Sequence, residues 1–141
     1  MAISVPNIKI ANNVKYILCA IRKKWIVLTP EEKVRQYILQ VFINEGYPQK
    51  YISVEKMLKV NDLSKRYDIV VFNRQLQPKI LIECKAEFID ISEKTLRQIA
   101  TYNTQLQVPF LMVTNGKAHY RFLIENNTST QLLHFPTFDE L

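Results

Sequence analysis

Two short apolar runs constrain this chain more than any other feature. Ile69-Val70-Val71-Phe72 and Ile80-Leu81-Ile82 flank a link, residues 74–78, that is short enough for a hairpin. Neither run alternates apolar with polar residues, so both read as buried strands. Charge stands at their ends all the same. Asp68 opens the first strand, over 67–73, and Glu83 and Lys85 close the second, over 79–85.

Helices are available to cover them. Thr29-Pro30-Glu31-Glu32 is a helix start, with a capping hydroxyl, a proline at the first helical position and acids in the first turn. Val34, Tyr37, Ile38, Val41 and Phe42 continue it as an apolar stripe, and Gly46 stops it, so a helix is predicted over 30–45. Ser92 caps a second helix, about 92–107, with Leu96, Ile99 and Ala100 on its apolar side. Further strands are predicted over 51–59 and 108–114. Asn115-Gly116 then turns the chain into a return strand at 118–124. Short strands around Asn12-Asn13 fill 5–28. In the tail, 132–136 either adds an edge strand or wraps the body. A helix between strands implies a crossover and some parallel pairing. The fold class is therefore α/β, a mixed central sheet flanked by helices in the order helix, three strands, helix, strand, strand. One domain is expected, with a basic N-terminal extension (1–28), a core (29–124) and a tail (125–141).

Composition narrows the function classes. Gly46 and Gly116 are the only glycines, which excludes a Walker loop and a dinucleotide-binding turn. With two cysteines, Cys19 and Cys84, no disulfide framework is implied, and a reducing, cytoplasmic location is the expectation. No stretch approaches the roughly 18 apolar residues of a membrane span. The net charge of +6 is one-sided: 12 Lys/Arg against 6 Asp/Glu in residues 1–70, and 7 against 7 in the rest. Lys9, Lys15, Arg22, Lys23 and Lys24 precede the first acid, a basic stretch that suits nucleic-acid phosphates or serves as a solvated surface.

The chemistry concentrates in 68–85. Residues two apart on a strand share a face, so Glu83 and Lys85 stand side by side and Cys84 points the other way. Paired through the 74–78 hairpin, Asp68 comes near Glu83. Two carboxylates and an amine at one place suit metal-assisted phosphodiester hydrolysis. Asp68 and Glu83 would ligate Mg²⁺ (or Mn²⁺), and Lys85 would position water or stabilise developing charge.

These stretches resemble the PD-(D/E)xK nucleases, although Tyr67 stands where that motif has proline. They resemble in particular the N-terminal nuclease domain of type I restriction enzyme R subunits. The resemblance rests on KKWIVLTPEEKVRQ (23–36), EGYP (45–48), YDIVVF (67–72), LIECKA (81–86), RQIATYN (97–103) and PFLMVTNG (109–116). It implies a catalytic set of Asp68, Glu83 and Lys85. It also implies a Q-x-x-x-Y pair, Gln98 and Tyr102, that orients the lysine or touches DNA, and an acid on the first helix that reaches the metal. Counting 100° per residue puts Glu31 on the inward stripe with Val34, Ile38 and Phe42, and Glu32 about 100° away, so Glu31 is the preferred acid. A chain of 141 residues holds no helicase motor, so recognition or translocation is expected from protein partners. The alternative is a non-catalytic nucleic-acid-binding or assembly protein that retains the fold.

Overall fold

The computed structural model describes residues 7–60 and 62–141, with the side chains of all of these except Val60 and Leu63. Residues 5 and 6 of the expected N-terminal strands lie outside the described part. The first hairpin forms where Asn12-Asn13 predicted it. β1 (Ile8–Ala11) pairs antiparallel with β2 (Val14–Leu18), and both asparagines take positive φ, 51° and 65°. Asparagine tolerates that conformation better than most residues. β3 (Trp25–Val27) completes a three-stranded sheet.

α1 (Pro30–Asn44) starts and stops by local chemistry. Thr29 accepts the N–H of Glu32 at 3.0 Å. At the other end Gly46, at φ +97°, donates to Ile43 O, and Tyr47 donates to Phe42 O at 3.1 Å. This pair of bonds is a Schellman motif, and its apolar contact is Phe42 against Tyr47, with ring centroids 4.9 Å apart.

The main sheet has six strands in chain order: β4 (Ile52–Val60), β5 (Leu63–Phe72), β6 (Pro78–Cys84), β7 (Phe110–Thr114), β8 (His119–Glu125) and β9 (Thr128–Leu132). All pairings are antiparallel except β6 with β7, which are parallel. α2 (Glu93–Thr104), capped by Ser92, makes that crossover. The fold is thus mixed α/β, with two α-helices and the expected element order. Two departures concern ends. β5 begins four residues earlier than predicted and forms a long ribbon with β4. The tail contributes β9, from the polar stretch 128–132 rather than the apolar 132–136. Its residues are mostly exposed, so no burial pattern marked it. Phe135 instead packs back beside Phe42 of α1 and Phe138 beside Tyr51, just before β4, which realises the wrapping alternative.

Each sheet face is covered by one helix. On the α1 face, Val34, Ile38, Leu39 and Phe42 pack with Ile69, Val71, Ile80, Ile82 and Met112, and Cys19 from the N-terminal segment joins them. On the α2 face, Ala100 and Leu106 pack with Tyr67, Val70, Leu81, Leu111 and Val113. Burial of these side chains contributes about 1.5–3 kcal/mol each before entropy. No helix among the described residues is long and apolar enough to cross a membrane.

Candidate functional site

The site grows out of a fault in β5. Ile69 and Val71 face α1 and Val70 faces α2, so strict alternation would put Tyr67 towards α1 and Asp68 towards α2. The reverse occurs: Tyr67 belongs to the α2 cluster, and Asp68 meets α1. The ladder pairs Val54 with Ile69 and Lys56 with Tyr67 but skips Glu55 and Asp68, and Glu55 sits at φ +56°. A left-handed non-glycine residue costs about 1–2 kcal/mol. The irregularity turns both acids, Glu55 and Asp68, towards α1.

There they meet a buried guanidinium. Arg35 Nη2 donates to Asp68 Oδ1 at 2.8 Å and Nη1 to Glu32 Oε1 at 2.8 Å. Glu31 and Glu55 each lie 3.7 Å from the same group. Glu32 Oε2 also accepts from Arg22 at 2.9 Å and from Gln36 at 2.9 Å. Asp68 Oδ2 accepts the backbone N–H of Cys84 at 2.7 Å. The Asp68 carboxylate is therefore bonded to the middle residue of Glu83-Cys84-Lys85.

Glu83 lies on the other side of that tripeptide. Lys65 Nζ is 2.8 Å from its Oε1, and the same ammonium lies 4.8 Å from the Tyr67 ring centroid and 5.4 Å from that of Tyr102. The Tyr67 hydroxyl donates to Asn103 Oδ1, a fully buried amide whose nitrogen donates to Ile99 O. Burial pushes the Tyr67 phenol up, with Glu83 adding to it. Burial also raises the Glu83 carboxyl, against the opposing pull of Lys65; Asp68 adds to the rise and Lys85 opposes it. Glu31 is raised first by burial and then by Asp68, with Arg35 and Lys85 opposing. Lys85 is thus in electrostatic reach of both Glu31 and Glu83. Its backbone N–H continues the ladder to Thr114 O, and its ammonium makes no close ion pair among the described residues.

The structure brings some predicted residues together and separates others. Asp68 and Glu31 form one neighbourhood, Glu83 with Tyr102 forms the adjoining one, and Lys85 is in electrostatic reach of both. Asp68 and Glu83 feel each other's charge but are held by different cations, Arg35 and Lys65. Among the described residues no three His, Cys, Asp or Glu side chains stand together closely enough to hold a metal ion. Gln98 is exposed on α2.

The helix acids differ from the sequence reading. Glu32, expected to the side, is 4% exposed, whereas the Glu31 side chain, expected to point inward, is 50% exposed. The N-terminal segment lies over that side of α1 and brings Arg22 to Glu32, a layer that helix geometry alone does not contain. Arg22 is corrected for the same reason. It is no exposed phosphate contact: its guanidinium also bonds Cys19 Sγ at 3.2 Å and Glu55 at 3.3 Å. Burial would raise the Cys19 thiol, but the bonds from Arg22, Gln36 and the Ile21 backbone together hold it below its ordinary pKa. Lys9, Lys15, Lys23 and Lys24 are exposed as predicted, and Lys23 donates to Gln49 at 3.0 Å.

Sequence reasoning missed Arg35 and Lys65. Arg35 had a signal, since it neighbours the buried stripe one turn after Glu31. Lys65 had none, because its partner is set by strand register.

This geometry can be set beside known proteins. The profile of a family described as the type I restriction enzyme R protein N terminus (HSDR_N) matches residues 30–136. The chain belongs to that family. The match runs from the start of α1 past β9 and includes Glu31, Arg35, Asp68, Glu83, Lys85 and Tyr102; the N-terminal hairpin lies outside it. Among solved structures, the chain is similar to a fragment described as an HsdR subunit of a type I restriction enzyme from Vibrio vulnificus YJ016. The identity is 22% and the TM-score 0.57, over 81% of this chain and 24% of that one. That likeness is one of fold, and this chain spans about a quarter of the fragment's length. No curated protein matches the chain.

Proposed function

We propose that this domain hydrolyses phosphodiester bonds in DNA with a divalent cation, Mg²⁺ or Mn²⁺, on a restriction-endonuclease-like core. The observation that carries the reading is the 2.7 Å bond from Cys84 N to Asp68 Oδ2, which joins the β5 acid to the Glu-x-Lys tripeptide. Family membership supports it, because the matched span contains all of these residues.

The donor chemistry fits a hard cation. Asp68, Glu83 and the helix acid Glu31 offer only oxygen, and Glu31 and Glu83 carry carboxyls biased towards protonation, a bias that a nearby cation would reverse. Asp68 and Glu83 would hold the ion, exchanging it for Arg35 and Lys65, with Glu31 alongside. Such an ion polarises the phosphate and activates water. Lys85, which makes no close ion pair among the described residues, would place its ammonium on the attacked phosphate or the water. Tyr102 would hold Lys65 in place once it leaves Glu83. Exposed lysines at 9, 15, 23 and 24 would take backbone phosphates. Site recognition and translocation would come from other subunits.

A second reading follows from the ion pairs themselves. Asp68 and Glu83 are each paired with an internal cation, so the same fold could bind DNA or partners without turnover. A plasmid-nicking assay separates the two. Wild type should nick with Mg²⁺ or Mn²⁺, and Asp68→Asn and Lys85→Ala should each lower the rate at least 100-fold. No nicking with either metal, alongside retained DNA binding, rejects hydrolysis in favour of the second reading. Nicking that survives both substitutions rejects the assigned site.

A further inference from the structure

We propose that the cleft between the N-terminal sheet and α1 receives an unpaired nucleic-acid strand, whose bases stack on Trp25 and Phe88. The proposal rests on the nucleic-acid reading above and deepens it by naming the form of the substrate. The cleft has a volume of about 660 Å³, within the ~300–1,000 Å³ usual for ligand sites. Tyr16, Trp25 and Phe88 give it aromatic walls, and Glu31, Glu32, Glu55 and Arg35 line it where it meets the site. Phe88 is 74% exposed and Trp25 39% exposed. A phenylalanine this exposed gains the fold little, and it stands three residues after Lys85, at the exit of the strand that carries the Glu-x-Lys tripeptide.

The cation at the aromatic wall is what favours a nucleotide as the occupant. Lys9 Nζ lies 4.4 Å from the Trp25 ring centroid. An ammonium over one side of an aromatic platform suits a nucleotide, with phosphate on the cation and base on the ring's other side. An apolar peptide would instead strip water from Glu31, Glu32 and Arg35 without satisfying them. The strand must be unpaired because base faces in a duplex are covered by their neighbours, and only an unstacked base offers a face to a side chain.

Trp25 is the chain's only tryptophan, so its emission reports on the cleft directly. The test titrates the full chain with oligothymidylate in EDTA, beside a blunt duplex of equal length. Trp25 emission should be quenched by the single strand, and the duplex should bind at least tenfold more weakly. Phe88→Ala should raise Kd for the single strand about tenfold or more, and Phe88→Tyr should restore it, with a labelled oligonucleotide's anisotropy as second readout. Phe88 is exposed, so these substitutions leave the core intact. Equal affinity for duplex, no binding of oligothymidylate, binding without change in Trp25 emission, or wild-type affinity in Phe88→Ala each overturns the proposal. Because EDTA removes metal, failure of hydrolysis and failure of the cleft are separate results. Quenching without nicking leaves the cleft standing, and nicking with unchanged Phe88→Ala binding leaves hydrolysis standing.

Discussion

Replacing Arg35 by methionine tests the electrostatic design of the site most directly. Methionine keeps much of the arginine stem's packing and removes the charge. The Arg35 side chain is 7% exposed and holds Asp68 and Glu32 at 2.8 Å each, with side chains that are 15% and 5% exposed. Breaking a buried pair by removing one partner costs about 3–5 kcal/mol, because the orphaned charge stays out of water. Glu32 keeps Arg22 and Asp68 keeps the Cys84 N–H, so the lower end, about 3 kcal/mol, is expected. For a chain of this length that lowers Tm by roughly 10 °C. Urea unfolding at neutral pH measures the loss. Protonating the orphaned carboxylates removes the uncompensated charge, so the deficit shrinks at acid pH. Adding Asp68→Asn should recover about 1 kcal/mol or more, since the amide needs no guanidinium and its oxygen can still accept from Cys84. A loss under 1 kcal/mol, or a double variant less stable than Arg35→Met alone, refutes the reasoning.

Three further outcomes are expected. Tyr67→Phe leaves the buried Asn103 carbonyl without its hydroxyl donor and should cost about 1–3 kcal/mol in urea unfolding. Lys85→Ala should change stability by less than about 0.5 kcal/mol, because its ammonium makes no close ion pair among the described residues, while nicking is lost; parallel unfolding and cleavage assays check the contrast. His119 bonds Thr114 Oγ1 through Nδ1 at 2.7 Å, and burial, then Arg121, holds its pKa below 6.5. The unfolded chain therefore protonates there first. The stability this neutral ring provides is complete above pH 6.5 and is lost as pH falls from 6.5 to the lowered folded value. Stability measured across that window should flatten in His119→Phe.

The legible parts of the fold were those encoded locally. Thr29-Pro30 and Gly46 set the ends of α1, Asn12-Asn13 and Asn115-Gly116 set hairpins, and the apolar runs at 69–72 and 80–82 became the central strands. β9 escaped because an edge strand exposed along most of its length has no burial pattern to show. Within the site, the spacing of Glu83 and Lys85 and the hairpin that returns Asp68 to them were readable. The partner of each charge was not. Arg22 looked like a surface base until the N-terminal segment folded onto α1, and Glu31 and Glu32 exchanged their expected burial for that reason.

By itself the sequence determined along which elements the charged residues lie, because caps, turns and apolar periodicity act over a few residues. Only the tertiary structure decided which way Asp68 faces. Alternation along β5 assigns it to α2, and the break opposite Glu55 turns it to Arg35 on α1. A reversal of that kind comes from two strands failing to pair at one position, a condition that neither strand carries alone.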